Sequence, residues 1–274
     1  MPTYTPEAFT IAKKFHSAEN VWTFVFEGTL NSTPGQFVNV WIPGVNEKPF
    51  SIARDWGNEI WLTVCAVGPF SKALCEKQVG DRVGIRGPYG KGFQITPLTR
   101  GAQMEAKTVV LVGGGYGMAP LHNAGIAHQK NGATVIAITG ARSAKNVLFV
   151  EECKNSGFET FITTDDGTLG QKGFTTDILD KLLEERKIDL VQTCGPEKMM
   201  KRIAEKCRAK GVLCEVSIER YMKCGFGVCG QCTVDGTGER MCKSGPAVDG
   251  NYALDNIPEF GMYHRGPEGQ KVLW

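Results

Sequence analysis

Four cysteines near the end of the chain constrain its folding more than any other feature. Cys224, Cys229, Cys232 and Cys242 lie in the stretch CGFGVCGQCTVDGTGERMC, spaced C-x4-C-x2-C with the fourth ten positions on. A loop that brings four thiols together must turn tightly more than once. Gly225, Gly227 and Gly230 supply the residue type that tolerates such turns. The spacing of the first three cysteines matches the plant-type [2Fe–2S] pattern, in which soft thiolate sulfur stabilises iron and offsets its charge. Structural zinc also accepts four thiolates, but zinc ribbons present two C-x2-C knuckles and this segment has one. The spacing favours iron–sulfur and leaves zinc as the alternative. From about residue 216 to 274 the chain has little helical or strand periodicity, so a small module organised by a metal is expected there.

The remainder is long enough for two more units. A chain of 274 residues exceeds one typical domain. Runs such as VWTFVFE, FVNVWI, IWLTVCAV and DRVGIRG, separated by Gly, Pro, Asn and Asp, predict short strands in an antiparallel sandwich or barrel over residues 1–101. From Lys107 the rhythm changes. Apolar runs TVVLV, ATVIAIT, ETFITT and DLVQTC alternate with helical stretches TTDILDKLLEER and EKMMKRIAEKCRAK, which predicts a doubly wound α/β domain over 102–215. The boundaries rest on pattern alone.

Charge and targeting signals exclude some partners. Lys and Arg total 31 against 29 Asp and Glu, a balance that gives no reason to expect nucleic acid or an anionic membrane. The N-terminal MPTYTPEAFTIAKKF lacks the features of a secretory signal, so the ten cysteines are expected in a reducing cytoplasm, without disulfides. Cys65, Cys75, Cys153, Cys207 and Cys214 have no metal-ligand spacing and read as buried or incidental thiols. Thr108 to Gln129 is uncharged and long enough to span a bilayer, but its glycines, proline, histidines and asparagine argue against a membrane segment.

VVLVGGGYGMAPL, Val109 to Leu121, is a strand entering a glycine loop that opens a helix, a setting that favours a bound pyrophosphate. The same residues would also suit a tight strand–helix turn. The G-x-G-x-x-G pattern fails, because the third glycine counted from Gly113 and Gly115 falls on Met118. The next strand leads into Ala141, Arg142 and Ser143, where an acidic ribose ligand would be expected, so a plain Rossmann dehydrogenase is disfavoured. CGPEKMM, from Cys194, follows the strand DLVQT and puts a thiol and a turn at the C-terminal edge of the same sheet, where ligands collect. Cys194 there is either a neighbour of the ligand or a half-buried structural thiol.

Together these motifs resemble the ferredoxin–NADP reductase superfamily. The residues that carry the resemblance are Lys48-Pro49-Phe50-Ser51-Ile52, Val67-Gly68-Pro69-Phe70-Ser71-Lys72, Gly87-Pro88-Tyr89-Gly90, Val112-Gly113-Gly114-Gly115-Tyr116-Gly117 and Cys194-Gly195-Pro196, in that order. The resemblance implies that Lys48, Pro49, Phe50, Ser51 and Ile52 flank a flavin, with the Ser51 hydroxyl near its reactive nitrogen. It places Val67, Gly68, Phe70 and Ser71 beside the FAD pyrophosphate. It assigns Gly113, Gly114, Gly115, Gly117, Arg142, Cys194, Gly195 and Pro196 to NAD(H), with Cys194 bordering the nicotinamide. Lys48 stands where the superfamily usually has Arg, supplying charge without the planar bidentate fork.

ERYMKCGFGVCGQC followed by MCKSGP is similar to the electron-transfer subunit family of dihydroorotate dehydrogenase type B, and this resemblance covers nearly the whole chain. It implies an antiparallel flavin barrel, an α/β nucleotide-binding domain and a small C-terminal [2Fe–2S] module with Cys224, Cys229, Cys232 and Cys242 as ligands. Electrons from dihydroorotate would reach FMN in a separate catalytic subunit, cross the cluster, collect on FAD and reduce NAD+, in pyrimidine biosynthesis. The implied assembly is a two-plus-two heterotetramer, and this subunit alone would not oxidise dihydroorotate. The rivals are a three-module relative serving a ferredoxin:NADP oxidoreductase, a hydrogenase or a sulfite reductase, and a zinc protein that binds nucleotide without redox chemistry.

Overall fold

The computed structural model describes residues 3–95 and 107–274, so a boundary at 101/102 lies outside the described residues. The first unit is a closed antiparallel barrel of six strands: β1 (Glu7–Ala18), β2 (Val21–Glu27), β3 (Phe37–Ile42), β4 (Asn46–Trp56), β5 (Glu59–Cys65) and β6 (Arg82–Tyr89), ordered β1-β2-β5-β4-β3-β6. Closure leaves no free sheet edge. Ile11, Phe24, Phe26, Val38, Val40, Ile52, Ile60, Leu62, Val83 and Ile85 are fully buried or nearly so in one cluster, and the short helix α1 (Pro69–Glu76) adds Phe70 and Leu74 to it.

The second unit is a sheet ordered β10-β9-β8-β7-β11-β12-β13. Its strands are β7 (Thr108–Gly114), β8 (Thr134–Ala141), β9 (Glu159–Thr164), β10 (Gln171–Lys172), β11 (Leu190–Cys194), β12 (Leu213–Ser217) and β13 (Ala247–Asp249). All neighbours are parallel except β12 and β13. Val109 to Val112 of β7 have no exposed surface, as a strand covered on both faces requires. On one face lie α2 (Met118–Lys130) and α3 (Val150–Asn155), on the other α4 (Thr175–Glu185) and α5 (Glu197–Lys210). The candidate membrane stretch is therefore β7 and α2, and no helix among the described residues is long and apolar enough to cross a membrane. α2 packs against β4 of the barrel, so the helix that follows the glycine loop also supports the strand carrying Lys48 to Ile52.

The cysteine loop is an excursion between two adjacent strands of this sheet. It leaves after β12, which spans the expected boundary at 215/216, and returns through α6 (Met241–Ser244) into β13, which pairs antiparallel with β12. Met241, Cys242, Val248, Ile257 and Phe260 join the same core as Val110, Met200 and Ile203, so this part shares its hydrophobic core with the nucleotide sheet. Helix α7 (Gly250–Asn256), capped by the Asp249 carboxylate accepting from the Tyr252 N–H at 2.9 Å, and a hairpin of β14 (Tyr263–Arg265) and β15 (Lys271–Leu273) complete the chain.

A buried charged triad fixes the start of that loop. The Arg220 guanidinium donates to Glu197 at the first position of α5 and lies 3.3 Å from Glu259, and all three side chains are essentially inaccessible. Glu197 also accepts from the Gly261 N–H at 3.0 Å, and Glu259 from the Asp235 N–H at 3.0 Å. Burial pushes the Glu197 carboxyl above its usual range, with Arg220 pulling the other way. Removing one partner of a buried ion pair strands the others without compensation. Arg220→Met is therefore expected to destabilise the protein by about 3–5 kcal/mol, seen as a lower urea midpoint by circular dichroism; an unchanged midpoint would show that the triad does not hold the loop.

Candidate functional site

The two glycine loops meet where the winding of the sheet reverses. β8, β9 and β10 lie to one side of β7, and β11 and β12 to the other, so the loops after β7 and β11 flank the crevice where open α/β sheets take their ligands. They touch backbone to backbone. A Cβ on Gly117 would lie 2.2 Å from the Cys194 carbonyl oxygen, and one on Gly195 would lie 2.9 Å from Gly114. Gly113 has no room for one either, with Met118 2.8 Å away, whereas Gly115 faces open space at φ +54°. Only glycine permits this approach, which explains how GGGYG can depart from G-x-G-x-x-G and still serve one purpose.

Cys194 is half-buried at the end of β11, bonded to the Ser217 side chain, and burial pushes its thiol up to about 12. It is a neutral thiol at physiological pH. Tyr116 is half exposed, with Cys65 of the barrel, Cys194 and Glu219 near enough to act on its hydroxyl. The charge of Glu219, then burial, holds its hydroxyl at about 12. Glu219 is exposed, yet packing around its carboxyl raises it, opposed by Arg220. Arg142 is exposed just beyond β8, and its carbonyl accepts the Asp166 N–H at 3.2 Å, which sets the exposed Asp165 and Asp166 beside it.

On β4, Ile52 points into the barrel core while Ser51 is exposed beside it. Phe50 is half-buried, with its ring 6.0 Å from that of Phe70 and tilted 30°. Pro49 is half-buried as well. Lys48 Nζ donates to the Tyr221 hydroxyl at 2.7 Å and sits 4.7 Å from the centre of that ring, so its charge is directed at the segment preceding Cys224. Ser71 Oγ accepts from the Val67 and Gly68 N–H groups at 3.0 Å each and fixes the turn into α1, leaving Val67 on the surface.

The four candidate metal ligands come as two pairs. Cys224 and Cys229 are within hydrogen-bond reach of each other, as are Cys232 and Cys242. Two pairs of thiols would suit the donor set of a binuclear cluster. Burial opposes ionisation of Cys224, but the N–H groups of Cys229, Phe226 and Val228 aim at its sulfur and bring it down to about 6. Cys232 falls to about 7 through its bond from Cys242, whose own thiol is correspondingly raised; the Cys242 N–H lies 3.4 Å from Cys232 Sγ. Gly225, Gly227 and Gly230 all have positive φ, from +71° to +85°. The loop thus offers the thiolates and N–H groups that an iron–sulfur cluster requires. Of the remaining thiols, Cys153, Cys207 and Cys214 are buried, the last two hydrogen-bonded to each other, and Cys65 and Cys75 are half-buried.

The barrel grips one end of this loop. Asn39 Nδ2 donates to the Lys223 carbonyl at 2.8 Å, and Arg86 to the Cys224 carbonyl at 2.6 Å. Lys91 N donates to the Gly245 carbonyl at 2.5 Å. The other end faces solvent, with Cys229 exposed and Val228 at 76 % exposure. Sequence reasoning missed Glu47, Arg86, Tyr116, Glu219 and Tyr221. The acidic Glu219 directly after the apolar strand LCEVSI was the available signal for one of them.

A six-stranded antiparallel barrel followed by a doubly wound sheet, with a cysteine loop inserted at the sheet's edge, defines a flavin-reductase-type electron-transfer protein. Residues 219–253 match the iron–sulfur cluster binding domain of dihydroorotate dehydrogenase B. Over 98 % of its length the chain is 40 % identical to a probable dihydroorotate dehydrogenase B (NAD+) electron transfer subunit of Methanocaldococcus jannaschii, covering 99 % of that protein. A protein of the same name from Thermococcus kodakarensis is 42 % identical over 88 % of this chain and 95 % of its own. A solved structure of an NADH-dependent reduced ferredoxin–NADP oxidoreductase superposes with a TM-score of 0.77 at 30 % identity, covering 92 % of this chain and 93 % of its own. Phthalate dioxygenase reductase, at 20 % identity and a TM-score of 0.57 over 73 % of this chain and 63 % of its own, shares the fold. The chain belongs to the family of dihydroorotate dehydrogenase B electron transfer subunits.

Because Cys229 lies at the solvent end of the loop and the barrel holds the other end, Cys229→Ser is expected to abolish the [2Fe–2S] electron paramagnetic resonance signal and leave FAD bound. Flavin absorbance read on the same sample checks this, and loss of both cofactors together would contradict it.

Proposed function

We propose that this chain couples a partner FMN-containing dihydroorotate dehydrogenase subunit to NAD+, as the electron-transfer subunit in pyrimidine biosynthesis, in the cytoplasm and within a two-plus-two heterotetramer. When bound, FAD exchanges two electrons with nicotinamide and single electrons with an iron–sulfur cluster, which makes it the converter between them. The observation that carries the reading is the two-ended loop: Cys224 is held against the barrel and Cys229 is exposed. Such a loop has one side toward a flavin and one toward another protein.

The chain's own residues then have distinct tasks. Half-buried Phe50, backed by Phe70 from the barrel core, offers the flavin an apolar surface, and exposed Ser51 offers its hydroxyl beside it. The turn through Val67 and Gly68, held by Ser71, serves the FAD phosphates, whereas Lys48 is engaged by Tyr221 and would have to leave it to reach a phosphate. The apposed loops at Gly113–Gly117 and Cys194–Pro196 take NAD(H) through their backbones, and the neutral Cys194 thiol borders the nicotinamide without becoming a nucleophile. Asp165 and Asp166 beside Arg142 disfavour a 2′-phosphate and so favour NAD over NADP. A second reading keeps this machinery and changes the partner, and the likeness to the ferredoxin–NADP oxidoreductase chain supports it.

Ser51→Ala is expected to slow flavin reduction at saturating NADH about tenfold, the loss of one hydrogen bond worth roughly 1.4 kcal/mol, with FAD affinity little changed. Stopped-flow absorbance measures it, and an unchanged rate removes Ser51 from the reaction. For the partner, the purified chain is expected to reduce dyes with NADH but not to oxidise dihydroorotate, until the FMN subunit from the same cell is added. Association and orotate-linked NAD+ reduction in that mixture support the assignment. Transfer only to a ferredoxin–NADP oxidoreductase, hydrogenase or sulfite reductase subunit would favour the second reading.

A further inference from the structure

Arg86, in the middle of β6, is the most heavily bonded side chain on the seam between barrel and cysteine loop. It is 6 % exposed. One terminal nitrogen donates to the Cys224 carbonyl at 2.6 Å and to the Tyr89 hydroxyl at 2.9 Å. The other donates to Glu47 Oε2 at 2.8 Å and reaches the Lys223 carbonyl at 3.4 Å, while Nε donates to Glu47 Oε1. Its guanidinium lies 5.6 Å from the centre of the Phe226 ring, and Gly225 packs so closely on Tyr89 that a Cβ there would be 2.5 Å from that ring. The charge is therefore held against the backbone of the first cysteine from a strand of the barrel.

The countercharge comes from the flavin side. Glu47 belongs to β4 and directly precedes Lys48-Pro49-Phe50-Ser51. Its side chain is 26 % exposed against 8 % for Arg86, so the pair presents its positive end to the cysteine loop and its negative end to the outside. A cluster gains negative charge when reduced, and nearby net charge is one of the terms that set its potential. A buried cation stabilises the reduced form, and a carboxylate opposes it.

We propose that Arg86 and Glu47 are a positioning pair that docks the cysteine loop on the flavin barrel and sets the reduction potential of the cluster held there. The inference rests on the proposed cluster at Cys224, Cys229, Cys232 and Cys242. The pair adjusts the driving force for electron exchange between the barrel's flavin and the cluster without touching either one. Arg meets Glu47, Tyr89 and two carbonyls with one planar fork, whereas the effect on the potential depends on the charge alone.

The test is an electron paramagnetic resonance-monitored redox titration of the intact protein, with Arg86→Gln, Glu47→Gln and Arg86→Lys compared to the unaltered chain. Arg86→Gln leaves the Glu47 charge uncompensated and is expected to lower the midpoint potential. Glu47→Gln leaves the guanidinium uncompensated and is expected to raise it. Each shift corresponds to about a tenfold change in the reduced-to-oxidised ratio, or about 59 mV for a one-electron couple. Arg86→Lys keeps the charge and is expected to stay near the unaltered value. Opposite signs distinguish electrostatic tuning from a loosened loop, which would move both Gln variants the same way. If Arg86→Gln fails to retain a cluster, the sign for Glu47→Gln decides: a rise supports the pair, and no change or a fall overturns it. If the unaltered protein gives no [2Fe–2S] signal, the cluster assignment itself falls, and the inference with it.

Discussion

Four sulfurs have to be held in two pairs by a stretch of chain with almost no regular structure of its own, and the rest of the molecule supplies what that stretch lacks. Between Ser217 and Ala247 the only regular element is the four-residue helix α6. Its ends are tied to each other through the antiparallel pairing of β12 and β13. Its start is fixed by Arg220 between Glu197 and Glu259, and its first cysteine by Asn39 and Arg86 of the barrel. These contacts meet backbone carbonyls and carboxylates that would be costly to bury alone, although Nε and one terminal nitrogen of Arg220 have no hydrogen-bond partner among the described residues. The cysteine module is thus a loop carried by two other units rather than a domain with its own core.

This arrangement ties three candidate sites together through short chemical links. Glu197, which bonds Arg220, directly follows Cys194-Gly195-Pro196, so that turn and the entry to the cysteine loop share one buried charge cluster. β4 carries Lys48, which reaches Tyr221, and Glu47, which pairs with Arg86. α2, rising from the glycine loop, packs on that same strand. These links hold the three candidate sites at fixed separations, which suits a chain that passes electrons between carriers.

The parts legible in the sequence are those written in local pattern. The barrel strands show alternation, the parallel strands show continuous apolar runs, and the cysteine spacing is a geometric statement in itself. The return strand β13 and helix α7 escaped because three and seven residues carry no measurable period. Arg86 and Glu47 are 39 positions apart, and Asn39 and Lys223 are 184 apart. Nothing local distinguishes RGPYG with a buried Arg bonded to the cysteine loop from the same turn with a solvated one. Glu219 and Tyr116 become a pair only when the sheet brings the end of β12 beside the loop after β7.

The central claim is that a single chain takes electrons between nicotinamide and an iron–sulfur cluster by way of a flavin. Anaerobic titration of the purified, intact protein with NADH tests it most directly, with the flavin absorbance and the low-temperature paramagnetic resonance spectrum recorded on the same samples. The account predicts that NADH bleaches the flavin and that a [2Fe–2S] signal grows with it. A flavin that bleaches while no cluster signal appears, or a colourless protein that binds zinc, would contradict it.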